Sequence, residues 1–308
     1  MILTTINGKL PVSNNLDDKA PSARIKLAVQ RNGRLTNASL DLLGHAGLSF
    51  ESYGQRLFSN CRNFPLDIMY SRDDDIPEYV SSGVVDLGIV GRNLIHEEGV
   101  QVEELLALGY GYCQLLVAVP RESGIHSLTD LKGKRIATSY PRSAERFFAA
   151  QGIPVEIITL SGSVELAPAL QIAHAIVELS ATGSTLVMHD LVPIHTILES
   201  EAVVVADPRA LANPQKSLQI NRLLVRLKAS IAAGQYRYVM MNAPRSALSR
   251  IQEINPGLKS PTVVPLLDPD WVAVHTAIKE EEFWDVIERL QEAGASEILV
   301  TPIDKLFL

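Results

Sequence analysis

Cysteine is scarce in this chain: Cys61 and Cys113 are the only two, far apart and without metal-type spacing. That excludes a small disulfide-stapled fold and suits a reducing compartment, with both thiols free. Positive charge is also short, since 28 Lys and Arg against 35 Asp and Glu leave a formal net charge of -7. Such a balance argues against the nucleic-acid backbone as main partner, while leaving room for a local anion site. No run of about 18 apolar residues is present to span a bilayer. The first two dozen residues, with Asn14, Asn15, Asp17 and Asp18, hold no apolar segment of signal-peptide type. The expected location is the cytoplasm, with neither nucleic acid nor membrane as partner. None of the seven histidines stands at metal-ligand spacing, and no Ser-His-Asp arrangement can be read from residue order.

What is present is a 308-residue chain that is 46% hydrophobic, enough to bury more than one core and to form two or three folding units. The segment 1–23 is polar, carries Pro11 and Pro21, and reads as a loose arm. From Ile25 onward strands alternate with helices: Ile25 to Gln30, Phe64 to Tyr70, Val84 to Val90, Gln114 to Pro120, Arg135 to Thr138 and Val155 to Leu160 are apolar runs separated by helical spacing. Near-continuous apolar strands in that setting predict parallel sheets covered by helices, an α/β architecture. Ser217 to Ala233 reads as a long helix. After it, strands at Tyr236 to Met241, Thr262 to Leu267, Val272 to Ile278 and Ile298 to Pro302, with helices at Arg245 to Ile254 and Glu281 to Ala293, give the βαββαβ order of a small ferredoxin-like domain.

The stretch Ala175 to Leu186 is the most informative. An apolar strand ends in Glu178, and Ser180, Ala181, Thr182, Gly183, Ser184 and Thr185 form a small-residue turn that opens a new helix. Successive backbone N–H groups in such a turn can face one concavity and cradle a phosphate, with hydroxyls as further donors and Glu178 accepting from ribose hydroxyls. An ordinary Ser/Thr-capped helix start accounts for the same residues. Gly33 and Arg34 follow the first strand at the sheet edge where α/β proteins bind ligands, so Arg34 can offer a planar fork to a phosphate or simply decorate a turn. Arg72 ends another strand. Asp74 and Asp75 precede Pro77 and read as capping acids.

The turn resembles the phosphoribosyl-pyrophosphate loop of phosphoribosyltransferases, and from about Ile25 to the C-terminus the chain resembles one family, ATP phosphoribosyltransferase in its long form. The resemblance is carried by Gln30-Arg31-Asn32-Gly33-Arg34-Leu35, Arg72-Asp73-Asp74-Asp75-Ile76-Pro77, Gly83-Val84-Val85-Asp86-Leu87-Gly88-Ile89, Lys134 to Pro141, and Gly162-Ser163-Val164-Glu165. It implies a two-lobed periplasmic-binding-protein-like catalytic part, with lobe I at 24–112 and 197–231 and lobe II, bearing the sugar-phosphate loop, at 113–196. An ACT-like regulatory domain at 232–308 follows. Adenine N1 of ATP would attack C1 of 5-phosphoribosyl 1-pyrophosphate (PRPP), expelling pyrophosphate, the first step of histidine biosynthesis.

Carried over residue by residue, the resemblance implies catalytic roles for Arg34, Arg56, Arg72 and Glu165. It implies sugar-phosphate binding by Glu178, Ser180, Ala181, Thr182, Gly183, Ser184 and Thr185, and ATP binding by Gly33, Arg34, Leu35, Arg72, Asp86 and Tyr140. Mg²⁺ would ride on the substrate phosphates, with no direct ligands assigned. Histidine would inhibit through the C-terminal domain, and dimers would assemble into a hexamer. The chain departs from the family pattern at Asn32, Arg92, Gln171, His174 and Glu178, which bears on fine geometry. The competing expectation is a non-catalytic cytoplasmic amino-acid-sensing protein with two closing lobes, which would have no use for a phosphate cradle.

Overall fold

A computed structural model describes residues 23–50 and 57–308. The expected arm at 1–23, apart from Ala23, and the expected catalytic Arg56 lie outside the described residues.

The chain opens with β1 (Ile25–Gln30), α1 (Thr36–His45), β2 (Phe58–Asn60), β3 (Leu66–Ser71), α2 (Ile76–Ser81), β4 (Leu87–Gly91), α3 (Arg92–Glu98) and β5 (Glu103–Ala107). It then builds β6 (Cys113–Pro120), β7 (Arg135–Thr138), α4 (Pro141–Ala150), β8 (Glu156–Thr159), β9 (Ala175–Ser180), α5 (Ser184–Met188) and β10 (Leu191–Ser200). β11 (Ala202–Ala206), α6 (Pro208–Ala212) and α7 (Pro214–Gly234) follow. The last unit is β12 (Tyr236–Pro244), α8 (Leu248–Ile254), β13 (Thr262–Pro265), β14 (Trp271–Lys279), α9 (Phe283–Glu292) and β15 (Ser296–Pro302).

These strands form three sheets, ordered β2-β3-β1-β4-β11-β5, β10-β6-β9-β7-β8 and β13-β14-β12-β15. The first two are the sheets of the two lobes, and apolar clusters pack on both faces of each. The third is wholly antiparallel and buries one face under α8 and α9, so the predicted βαββαβ order is the one found. The lobe sheets are not purely parallel as expected. β1 runs parallel to β3 and β4, and β7 to β8 and β9, but β11 is antiparallel to β4 and β5, and β6 to β9 and β10. An apolar run records burial on both faces, and burial is indifferent to strand direction.

The chain crosses to lobe II just before β6. β10 stays in the second sheet to Ser200 and β11 enters the first at Ala202, so the return lies at Glu201 rather than at 197. α7 then packs Ile220, Leu223 and Leu227 on the first core. Its start is capped by Asn213, whose side chain accepts from Gln215 N and Lys216 N at 3.0 and 3.1 Å.

α7 also explains Asp86, which the resemblance places at the ATP site. Asp86 precedes β4 and is 4% exposed. One oxygen accepts from Lys26 N at 2.8 Å and the other pairs with Lys216 Nζ at 2.6 Å. It therefore stands at the amino edge of the sheet, about 16 Å of strand from the carboxyl edge, and ties α7 to β1. That corrects the ligand role: its burial is satisfied by structural partners. Asp86→Ala is expected to lose about 2 kcal/mol of stability by stranding these partners, seen as a lower urea midpoint with unchanged nucleotide affinity. Weakened affinity in a folded variant would return Asp86 to the ligand site.

Candidate active site

The carboxyl ends of β1 and β4, the start of β6 and the residue before α4 converge between the lobes. They enclose a cavity of about 280 Å³ lined from lobe I by Gln30, Arg34, Leu35, Asp73, Asp74, Gly91, Asn93 and Leu94, and from lobe II by Cys113, Tyr140, Leu179 and Ala181. Arg34 is held across the crossing by bonds from Nη1 to Tyr112 O at 3.2 Å and from Nη2 to Cys113 Sγ at 3.3 Å. The turn before it needs glycine: at Gly33, with φ +149, an added Cβ would lie 2.3 Å from the Gln30 side chain. Gln30 Oε1 in turn accepts from Leu35 N at 2.9 Å, and Leu35 packs into the lobe I core. Tyr140 packs against apolar clusters of both lobes. Burial, with the charge of Glu178 next, pushes its phenol well above the usual range.

A second cavity of about 230 Å³ lies within lobe II, lined by Ser139, Gly162, Ser163, Glu165, Glu178, Leu179, Ser180, Thr185 and Leu186. Leu179 borders both cavities, so they are neighbours on either side of the β9 end. Four predicted residues, Glu165, Glu178, Ser180 and Thr185, thus come together from two segments. Ala181 faces the interlobe cavity instead. The turn is internally braced: Ser180 Oγ accepts from Gly183 N at 3.0 Å, and the Thr182 and Ser184 hydroxyls lie 2.9 Å apart. Gly183 adopts φ +77, the left-handed region that admits glycine without strain. α5 is only five residues long, and the N–H groups of Gly183 and Ser184 are already donated inside the turn, at 3.0 and 3.4 Å; from the turn and the start of α5, Ser180 and Thr185 reach the cavity.

Glu178 Oε1 accepts from Leu179 N at 2.9 Å. Burial raises its pKa above the usual carboxylate range, the Leu179 N–H opposes that, and the charge of Glu165 adds to it. Asp74 is raised as well, by burial first and then by Asp73, with Arg72 opposing.

Not every expected residue converges. Arg72 is not among the residues lining the interlobe cavity; its side chain is 79% exposed and lies 3.6 Å from Asp74. It borders a hollow of about 550 Å³ with Arg31, Asn32, Phe58, Tyr70 and Tyr79, which adjoins the interlobe cavity at Asp73. Asp74 and Asp75, read as capping acids, do not cap α2 by their side chains; Asp74 faces the cavity with Asp73. The departures Gln171 and His174 sit at the other end of lobe II, where Gln171 O accepts from Arg135 Nη2 and His174 Nδ1 from Arg135 N. Arg92 pairs with Glu104 and Glu201. Of the departures toward the loop only Glu178 lines the cavity. Sequence reasoning missed Asn93, Leu94 and Cys113, whose only signal is position just after a strand or at a crossing.

Two family models match the chain: ATP phosphoribosyltransferase over residues 72–229 and the C-terminal domain of that family over 233–305. The chain belongs to the ATP phosphoribosyltransferase family. A relative from Cytophaga hutchinsonii, named ATP phosphoribosyltransferase, is 39% identical over 92% of this chain and 99% of its own length. One of the same name from Maricaulis maris is 39% identical with the same coverage. Among solved structures, an ATP phosphoribosyl transferase (HisG:HisZ) complex from Thermotoga maritima matches 66% of this chain and 96% of its own with a TM-score of 0.59 and 27% identity. The presence of the family's C-terminal domain makes this the long form, and membership makes it a pentosyltransferase; a non-catalytic amino-acid sensor is not favoured. Among the described residues no helix is long and apolar enough to cross a membrane.

A carboxyl whose pKa rises on folding costs stability once ionised: the cost is absent below its unfolded pKa and complete above its folded one. Glu178→Gln, which keeps the acceptor for Leu179 N, is therefore expected to melt above the parent at neutral pH. The gap should close as pH falls through the carboxylate range. A gap that persisted unchanged to low pH would remove desolvation of Glu178 as its cause.

Proposed function

We propose that this chain joins adenine N1 of ATP to C1 of PRPP, breaking the C1–O bond to pyrophosphate, as the first enzyme of histidine biosynthesis. The observation that carries this reading is the pair of adjacent cavities. One is bordered by Glu178, Ser180 and Thr185 with Glu165, the other by Arg34 and Tyr140, and Leu179 is shared between them. Two large anions that must meet at one carbon suit two neighbouring sites better than one. The protein's task is then alignment, which converts a bimolecular encounter into a local step.

In this reading the turn's hydroxyls, with the N–H groups its internal bracing leaves free, bind the ribose 5-phosphate, and Glu178 accepts from the ribose hydroxyls. Glu165 stands beside it on the same cavity. As the C1–O bond lengthens, positive charge builds on the ribose, and preorganised carboxylates nearby oppose it. Arg34 and Gly33 to Leu35 hold the nucleotide from lobe I, with Tyr140 against the base. Arg72 and Arg56 are left for the outgoing pyrophosphate.

Members of the family generally need a metal ion, and we assign it as Mg²⁺. Among the described residues no group of three His, Cys, Asp or Glu is arranged to hold a metal. The oxygen donors Glu165 and Glu178 on the second cavity would suit an ion carried mainly on substrate phosphate oxygens. When bound it neutralises the diphosphate. Histidine inhibits through the 232–308 domain, the assembly is built from dimers up to a hexamer, and the enzyme works in the cytoplasm.

Pyrophosphate release measured with Mg²⁺, ATP and PRPP, each omitted in turn, tests the whole reading; it is expected to require all three and to fall when histidine is added. Release independent of either substrate would end it. In the same assay Gly183→Val is expected to raise the KM for PRPP strongly, while Gly183→Asn, which tolerates the left-handed region, keeps more affinity.

A further inference from the structure

α3 and α4 belong to different lobes and meet beside the cleft. α4 starts with Tyr140 at its N-cap and Pro141 in its first turn, and no cap hydrogen bond comes from the N-cap side chain. The N–H groups of Arg142 and Ser143 are among those a helix leaves without intrahelical partners. Both donate to one carboxylate from the opposite lobe: Arg142 N to Glu97 Oε1 at 2.9 Å and Ser143 N to Glu97 Oε2 at 2.8 Å. Glu97 is 6% exposed. Around it Arg142 Nη1 bonds Glu98 Oε2 at 2.6 Å, His96 Nδ1 lies 3.0 Å from Ser143 Oγ, and Arg146 Nη2 donates to His96 O.

The start of α3 is tied to the return crossing, where Asn93 N donates to Ser200 Oγ and Ser200 Oγ donates to Asn93 Oδ1, both at 2.9 Å. Asn93 and Leu94 line the interlobe cavity from one side, and Tyr140, the residue before α4, lines it from the other.

We propose that Glu97 is a positioning residue for the transfer, an interlobe cap whose two bonds to the α4 start hold Tyr140 and lobe II at working distance from Arg34. It touches no substrate. A charge-assisted pair of hydrogen bonds inside a nearly closed contact is strong enough to fix one helix end on another. A displacement of about 1 Å at Tyr140 is enough to cost up to a hundredfold in rate where two substrates must align. The kinetic part rests on the transferase reading; the geometric part does not.

The test uses the full chain with Glu97→Ala and Glu97→Gln, the second keeping the side-chain shape and one acceptor. Spin labels at Glu78→Cys and Gln151→Cys, both exposed, report the lobe separation, since the native Cys61 and Cys113 are buried. Both variants are expected to broaden the distance distribution and to lower kcat/KM by about tenfold or more, with KM raised for both substrates at temperatures well below melting. Glu97→Gln should fall between the parent and Glu97→Ala, and it decides the matter if Glu97→Ala does not fold. Unchanged distances, or a lower melting temperature with unchanged kinetics, would overturn the proposal. If the parent itself released no pyrophosphate, the transferase reading would fail while the distances still decided the cap.

Discussion

β11 has no exposed residue, and both of its edges are occupied, by β4 on one side and β5 on the other. It belongs to the first sheet but reaches it only after the chain has made the whole second sheet. Lobe I therefore cannot close its own core from local sequence, and the long-range pairing must wait for lobe II. The same constraint sets the site. Because the chain passes between lobes before β6 and again at Glu201, the carboxyl edges of both sheets and both crossings are brought to one gap. Arg34 illustrates this by bonding Tyr112 O and Cys113 Sγ at the outward crossing.

The electrostatics of the gap are unusual for a protein proposed to bind two polyanions. Asp73, Asp74, Glu165 and Glu178 line the two cavities, and Arg34 is the one guanidinium among the lining residues. Desolvation first, and then a neighbouring carboxylate, raises the pKa of Glu178 and of Asp74. An anion-binding site of that sign is unfavourable unless cations arrive with the ligands and unless positive charge develops during the reaction. Both conditions hold for transfer of a ribosyl group from a metal-bound diphosphate. On the proposed transfer, the acid-rich lining would oppose nonproductive binding of free phosphates and favour the charged transition state.

Much of this was legible beforehand, and the parts that were not have physical reasons. β1 and β7 match their predicted limits because each is a short apolar run bounded by turn residues. The C-terminal unit was readable because period-2 alternation in β14, buried at every second residue, marks a sheet with one open face. Sheet direction was not, because burial on both faces erases that signal. At the site, Glu178 to Thr185 announced itself by composition. Asp86 misled because a buried acid in an apolar strand looks the same whether it serves a ligand or Lys216; its partner is 130 residues away in sequence. Asp74 misled in the opposite sense, its position before Pro77 suggesting a cap that the side chain does not make.

α3 shows why the least legible element carries so much of the architecture. Seven residues are too few to persist as a helix in isolation, and the segment has no strong periodic signal to recommend it. It is ordered by what it joins. Asn93 reaches the return crossing, Leu94 forms cavity wall, Glu97 caps a helix of the other lobe and Gly99 ends the turn in the left-handed region at φ +65. A segment whose structure depends on tertiary partners leaves little trace in local propensity. For the same reason it is responsive to the relative placement of those partners, which is what a brace between two lobes requires.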